Sequence, residues 1–358
     1  MKRPLTFKAA DRLLVFAPHP DDETLATGEL IQLARESGAS VRVVFGTDGD
    51  NNPWPQRWCE RRLRIGPAER ERWGRRRRGE AQAALARLGV ASDAVRFLGW
   101  SDLGLTGTLE HDDAAIETLR GEFERYAPTH VAMPSLRDRH PDHGALRVML
   151  ELALAKARAG CVRLSYAVHG RDAYAAALKV PRDATRHARK REALMAHASQ
   201  ISLSKSRLLR WADQPETFEP AEPGGSIAGA SDGGIVLSLP LAPVFRFWRR
   251  HDVVLVIENG ERIERARIPL PRLAGSTARA TLGKALCAGR VDVTLDRGTL
   301  QIAIAGDADG HVRGYVKLDR TMPRVVIFDD ETWQRFGDFS GSYAPSVETV
   351  AVAQRASL

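Results

Sequence analysis

The stretch Arg12-Leu13-Leu14-Val15-Phe16-Ala17-Pro18-His19-Pro20-Asp21-Asp22-Glu23 decides how this chain is read. From Leu13 to Ala17 it is unbroken apolar residues, the pattern of a strand buried on both faces of a sheet. It then crowds a histidine and three carboxylates beside the strand end. From 22 to 37 the period becomes helical, with Leu25, Leu30 and Leu33 on one stripe and Gly38 as the stop. The alternation repeats outward. Residues 41–45, 94–98, 130–133 and 162–168 read as strands, and 77–88, 112–126, 142–159 and 185–197 as helices, with 200–209 open to either reading. The expected fold over residues 1–213 is α/β: a Rossmann-like, mostly parallel sheet with helices on both faces.

The composition then shifts. Residues 214–225 are rich in Pro, Glu and Gly and read as a linker. Beyond them, short apolar runs at 235–237, 253–257, 291–295, 300–304, 312–316 and 325–328 alternate with turn residues such as Asn259-Gly260 and Asp309-Gly310. A smaller all-β, sandwich-like domain is expected at 226–345, followed by a tail at 346–358. It carries no motif that assigns it a role. Trp248, with Arg249, Arg250 and His251, reads as a strand-end aromatic rather than a sugar platform.

With 358 residues the chain exceeds one ordinary domain, in line with this division. It has neither a signal-peptide apolar core near its first residues nor a run of the ~18 apolar residues that a membrane helix needs. Cys59, Cys161 and Cys287 are odd in number and scattered, which argues against a disulfide framework and against a thiolate metal site. A reducing cytoplasm is the expected compartment. The net charge of +8 leaves open attachment to the inner face of a membrane. Much of that charge lies in an Arg-dense stretch at 57–78, interleaved with Trp54, Trp58 and Trp73. One reading is a solvated loop and helix, salt-bridged through Glu60, Glu69, Glu71 and Glu80. A second is a loop beside the site that takes an anionic substrate. A nucleic-acid surface is the weakest of the three, because net charge says little about partners.

The acidic cluster follows the first strand, and ligands of open α/β sheets bind at the carboxyl ends of strands. His19 can offer an imidazole nitrogen, and Asp22, three residues on, can reach the same ion. Asp21, between them, can touch a water at that ion. Glu23 suits the positive end of a helix dipole. The plain alternative is an acidic helix start after a Pro turn, with a solvated histidine. Against it stands a second cluster, His140-Pro141-Asp142-His143, in the same position after the fourth strand. His143 can be the third ligand. Two imidazoles and a carboxylate with an open position suit catalytic zinc. His140 then lies beside the ion as a cation or general acid, with Asp142 hydrogen-bonded to its ring and raising its pKa. A rival set has both His140 and His143 as ligands.

At these residues the chain resembles the PIG-L/LmbE-like family of zinc-dependent N-acetylglucosaminyl deacetylases, over roughly residues 10–200. That family carries A-H-P-D-D-E after its first strand and H-P-D-H near its fourth. Here Pro18 is inserted between Ala17 and His19, and the H-P-D-D-E core is intact. Thr47-Asp48-Gly49, Arg77-Arg78-Gly79-Glu80 with Leu88-Gly89-Val90, Leu98-Gly99-Trp100-Ser101-Asp102, and Lys190 to Gln200 with His197, Ser199 and Gln200 are weaker echoes. The resemblance implies that His19, Asp22 and His143 bind one Zn2+ (Fe2+ or Co2+ could substitute) and that Asp21 is the general base. It implies that His140, oriented by Asp142, stabilises the oxyanion and protonates the leaving amine. It also implies that Arg77 and Asp102 contact the sugar. For Arg77 the residues equally allow a surface pair with Glu80, and for Asp102 a turn role. His197 reads as packed rather than ligating. The implied reaction frees acetate from an N-acetyl amino sugar or glycoconjugate. The alternatives are a metal-dependent amidohydrolase for a non-sugar amide and a noncatalytic metal-containing glycan-binding protein.

Overall fold

A computed structural model describes residues 4–170, 178–219, 228–231, 234–240, 251–259, 262–270, 275–281, 289–296, 299–305, 312–321, 327–329 and 331–339. The chain divides into two compact units, Met1–Glu222 and Pro223–Leu358.

In the first unit, β1 (Arg12–Ala17), β2 (Ser40–Thr47), β3 (Val95–Trp100), β4 (His130–Pro134) and β5 (Val162–Tyr166) form a sheet of order β3-β2-β1-β4-β5. Every pairing in it is parallel. Beyond its first residue β1 is fully buried, as its unbroken apolar run requires. Order reverses between β1 and β4, so the crevice at their carboxyl ends is the topological switch point. Around the sheet run α1 (Asp22–Glu36), α2 (Pro53–Glu60), α3 (Pro67–Arg87), α4 (Leu105–His111), α5 (Asp113–Tyr126), α6 (Pro141–Lys156), α7 (Ala184–Met195) and α8 (Ala198–Ala212). The main core joins Leu13, Val15, Val43 and Phe45 of the sheet to Leu30 and Ile31 of α1 and Ala81, Ala84 and Leu85 of α3.

Two expectations change. The Arg-dense stretch at 57–78 is a loop and helix, as the first reading had it, but with more helix: it holds the end of α2, the short connection at 61–66 and the first half of α3. Arg and Glu are good helix formers, and here they pair, as in Arg62–Glu69 (2.8 Å), Arg72–Glu60 (2.6 Å) and Arg76–Glu80 (3.0 Å). The second change concerns the start of the stretch read as a linker, which packs on the first unit. There β7 (Thr217–Phe218) pairs with β6 (Leu178–Lys179), and Glu216 enters the core. Its carboxylate accepts the backbone N–H groups of Glu29 and Leu30 (2.8 Å each) and pairs with buried Lys190 (2.7 Å). Breaking one partner of such a pair leaves an uncompensated buried charge. Lys190→Met is therefore expected to destabilise the protein by about 3–5 kcal/mol in urea unfolding; a change below ~1 kcal/mol would mean that the pair is dispensable.

The second unit is all β. One antiparallel sheet has β10 (His251–Asn259), β11 (Arg262–Pro269), β15 (Val312–Arg320) and β16 (Gln334–Phe339) in order β11-β10-β15-β16. The other has β8 (Ala228–Ser231), β9 (Gly234–Pro240), β12 (Thr277–Thr281), β13 (Arg290–Asp296) and β14 (Thr299–Ala305) in order β12-β13-β14-β9-β8. Alternate residues of both sheets, among them Val253, Leu255, Ile257, Leu237, Val291, Val293 and Ile302, fill one core, which makes a sandwich. Trp248 with Arg249 and Arg250, the first half of the 325–328 run, and the tail lie outside the described residues.

Candidate metal centre and active site

Because β1 and β4 are neighbours, the segments that follow them meet. Both then turn into helices. Asp21 is the N-cap of α1, at φ 122°, and His140 is the N-cap of α6, with Pro141 beginning the helix. The imidazole centroids of His19 and His140 are 4.7 Å apart, those of His140 and His143 5.0 Å, and those of His19 and His143 5.4 Å. All three residues are buried, as are Asp22, Asp102 and Asp142.

Asp22 Oδ2 lies 3.1 Å from His19 Nδ1 and 3.1 Å from His143 Nε2. Donors around a tetrahedral zinc, with bonds of about 2.0–2.1 Å, sit roughly 3.3 Å apart. The His143 contact lacks hydrogen-bond geometry, and His143 Nε2 is a buried nitrogen with no hydrogen-bond partner among the described residues. Its other nitrogen is fixed: Nδ1 is 3.0 Å from Asp138 Oδ2. Asp138 also accepts from the backbone N–H of His140 (2.9 Å), Val168 (2.8 Å) and His169 (3.1 Å). Burial works to raise the Asp138 pKa, but His143 and these donors hold it well below the usual carboxylate range. A charged Asp138 holds a His143 proton at Nδ1 and turns Nε2 toward Asp22, the carboxylate–histidine pattern that stands behind a metal. Burial disfavours a charged His143 ring, yet Asp138 and Asp22 raise its pKa to about 10. The pocket is built electrostatically for a positive charge, and the donor set fits a divalent cation. Donor atoms within 4.8 Å of one another form three overlapping trios among the described residues: His19–His140–His143, Asp22–His143–His169 and His19–Asp102–Asp142. The expected trio His19–Asp22–His143 rests on the two 3.1 Å contacts of Asp22.

Asp21 is the more open carboxylate, with 14% of its side chain exposed. Burial raises its pKa to about 6 against the pull of Arg77, with Asp22 and Glu23 adding to the rise. Glu23 Oε2 accepts the Asp21 N–H (2.9 Å), while Glu23 Oε1 meets His197 Nε2 (3.0 Å), so Glu23 is a buried brace rather than a solvated dipole partner, and His197 is packed. Arg77 is buried and does not pair with Glu80. It donates to Gly49 O (2.6 Å) and Pro20 O and lies 3.3 Å from Asp21 Oδ2, clamping the turn that holds Asp21. Glu80 takes the Ser199 N–H (3.0 Å) and hydroxyl (2.5 Å) instead, so two of the weaker sequence echoes meet.

Asp142 corrects an expectation. Its carboxylate does not bond the His140 ring. It takes the N–H groups of Leu103 (2.7 Å) and Leu105 (3.1 Å) and lies 3.1 Å from His19 Nε2. The reason is helical geometry: at the second position of α6 it is the Asp142 backbone N–H that meets His140 Nδ1, at 3.3 Å. Burial, then the His19 and His143 rings, lower the His140 pKa well below the histidine range, opposite to the rise expected. Asp102 is no solvated turn residue. It is 3.2 Å from His19 Nε2 and accepts the Asn51 N–H (2.7 Å). Asp102 and Asp142 thus flank the far nitrogen of His19.

Two members of the cluster escape a reading by motif. Asp138 lies two residues before H-P-D-H and needed only that acidic neighbour to be weighed. His169, whose ring centroid is 5.0 Å from that of His143, follows β5, and its signal is its place past a strand end.

Residues 14–154 match the PIG-L family, described as GlcNAc-PI de-N-acetylase. A 1D-myo-inositol 2-acetamido-2-deoxy-alpha-D-glucopyranoside deacetylase of Mycolicibacterium vanbaalenii is 33% identical over 189 residues, which cover 47% of this chain and 62% of that protein. The protein of that name in Mycolicibacterium gilvum is 42% identical over 102 residues, 27% of this chain and 34% of its own. The chain thus spans about three fifths, or less, of these relatives. Among solved structures, the N,N'-diacetylchitobiose deacetylase of Pyrococcus horikoshii overlaps 56% of this chain and 76% of its own at 19% identity and a TM-score of 0.45. Motif, strand position and family match coincide on the same residues: both histidine–aspartate segments lie within the 14–154 stretch that is similar to the PIG-L family.

Proposed function

We propose that the chain is a metal-dependent deacetylase that hydrolyses the N-acetyl group of an amino sugar or its glycoconjugate. One observation carries this reading: Asp22 Oδ2 sits 3.1 Å from a nitrogen of both His19 and His143, and the His143 nitrogen has no hydrogen-bond partner among the described residues. His19, Asp22 and His143 would hold one ion, zinc by donor type, with iron or cobalt able to substitute. A bound divalent ion supplies Lewis acidity to the acetyl carbonyl and acidifies water.

The residues do the rest. Asp21, held by Arg77 and by Glu23, takes a proton from the attacking water as general base. With Nδ1 accepting the Asp142 N–H, a neutral His140 carries its proton on Nε2 and can donate it as a hydrogen bond to the oxygen that becomes negative. The tetrahedral adduct collapses only if the nitrogen is protonated, and Asp21 returns the proton it has taken. His140, kept neutral by burial, is thereby a stabiliser rather than the acid. Acetate and a free amine result. Asp102 and Asp142 act through His19, and Asp138 through His143.

Acetate release by the metal-loaded protein from a panel of N-acetyl sugars, their conjugates and non-sugar acetamides tests this. Release from the amino sugars, abolished by a chelator and restored by zinc, is expected. Release from the non-sugar amides alone would change the substrate class, and none from any would remove the enzyme reading. Asp138→Asn keeps the shape but cannot hold the His143 tautomer as firmly. It is expected to weaken metal binding about 10–100-fold in a competition titration; unchanged affinity would mean that Asp138 serves the fold alone.

A further inference from the structure

Of the large apolar side chains that are exposed among the described residues, the three most open are Trp54 (65%), Trp58 (65%) and Leu63 (87%), all within ten residues. Trp54 and Trp58 stand four apart on α2 and so share a face. Leu63 follows just past the helix end. The same segment carries Arg57, Arg61 and Arg64, which, unlike most neighbouring arginines, make no ion pair among the described residues. Arg57 lies over the Trp54 ring at 5.2 Å, leaving that indole with one open face. Beside the helix, Arg57, Trp58, Arg61, Arg62, Leu63 and Arg76 border an open groove of 670 Å3.

We propose that this end of α2 is a docking surface for an anionic lipid bilayer. Indoles favour the headgroup level of a membrane, and a bare leucine gains by leaving water. Unpaired arginines around them add attraction to acidic headgroups. A nucleic-acid strand would use the arginines and the open indole faces but has no use for the most exposed residue of the patch, Leu63. The surface also adjoins the candidate active site in the chain. Asn51 binds Asp102 through its N–H (2.7 Å) and its side-chain amide (3.1 Å), and Asn52 caps α2. A bilayer docked there would bring lipid-anchored substrate to the site, a consequence that alone rests on the deacetylase reading.

Sedimentation with phosphatidylcholine vesicles, with and without ~30 mol % phosphatidylglycerol, tests the docking surface. The whole chain is expected to bind the anionic vesicles at low salt, to ignore the neutral ones, and to be released at about 0.5 M salt. The triple variant Arg57→Gln, Arg61→Gln, Arg64→Gln should bind roughly 100-fold more weakly, since each arginine near the surface contributes about a factor of five. Trp58→Ala with Leu63→Ser should lose ~10-fold or more. Apart from half-buried Arg57 all these positions are exposed, and unchanged circular dichroism verifies folding. The idea is overturned if the unaltered chain ignores anionic vesicles, if both variants bind like it, or if the patch instead captures a single-stranded oligonucleotide or a second copy of the chain without binding vesicles. Vesicle binding needs no turnover, so its failure and a failure to release acetate are separate results.

Discussion

Asp21→Asn is expected to lower kcat by about 10²–10⁴-fold while the metal stays bound, because it removes the proton acceptor and little else. Asparagine has the shape of the carboxylate and, like aspartate, tolerates positive φ better than other side chains, which matters at an N-cap with φ 122°. Alanine there would confound lost chemistry with backbone strain. The Asp21 carboxylate is not within the 3.1 Å set of Asp22, His19 and His143, so metal content should remain that of the unaltered protein. A variant with near-normal kcat would mean that another group takes the proton. A variant that loses the metal would make Asp21 a ligand.

His143→Ala is expected to lose bound metal, and turnover with it, to the limit of detection. The loss of affinity should exceed the ~10–100-fold expected for an outer partner such as Asp138, since a ligand atom itself is gone. The fold should survive. Asp138 keeps the N–H groups of His140, Val168 and His169 as donors, and the sheet pairing of β4 does not involve the imidazole. Metal analysis after dialysis, with circular dichroism as the folding control, reads this directly. Full occupancy in the variant would put the third ligand elsewhere, and His140 and His169, each of which shares a trio with His143, are where to look next.

How far the sequence reached depends on the range of the interactions concerned. The first helix was legible almost to its ends: the expected 22–37 is Asp22–Glu36, because an acidic first turn and Gly38 mark it locally. The expected helix at 77–88 is the second half of α3, which starts at Pro67. Its buried face includes Arg77 beside Trp73 and Ala81, so apolar periodicity failed to mark it. The short helices α2 and α4 carry no long apolar stripe at all. In the site, both H-P-D-D-E and H-P-D-H were legible as local clusters at strand ends. That Asp142 serves His19, 123 residues distant and not its own neighbour His140, depends on β1 lying against β4 and on helix-start geometry. The cradle of Asp102 depends likewise on the loops after β2 and β3 meeting, as the Asn51–Asp102 bond records. Pairing of that kind is written in no single stretch of chain.

Anomalous diffraction at the zinc edge from crystals of the zinc-loaded protein reads the ligand set itself. One peak per chain is expected, bounded by His19, Asp22 and His143, with His140 and Asp21 alongside but not ligating. A peak held by His19, His140 and His143 together, or no peak between the ends of β1 and β4, would contradict it.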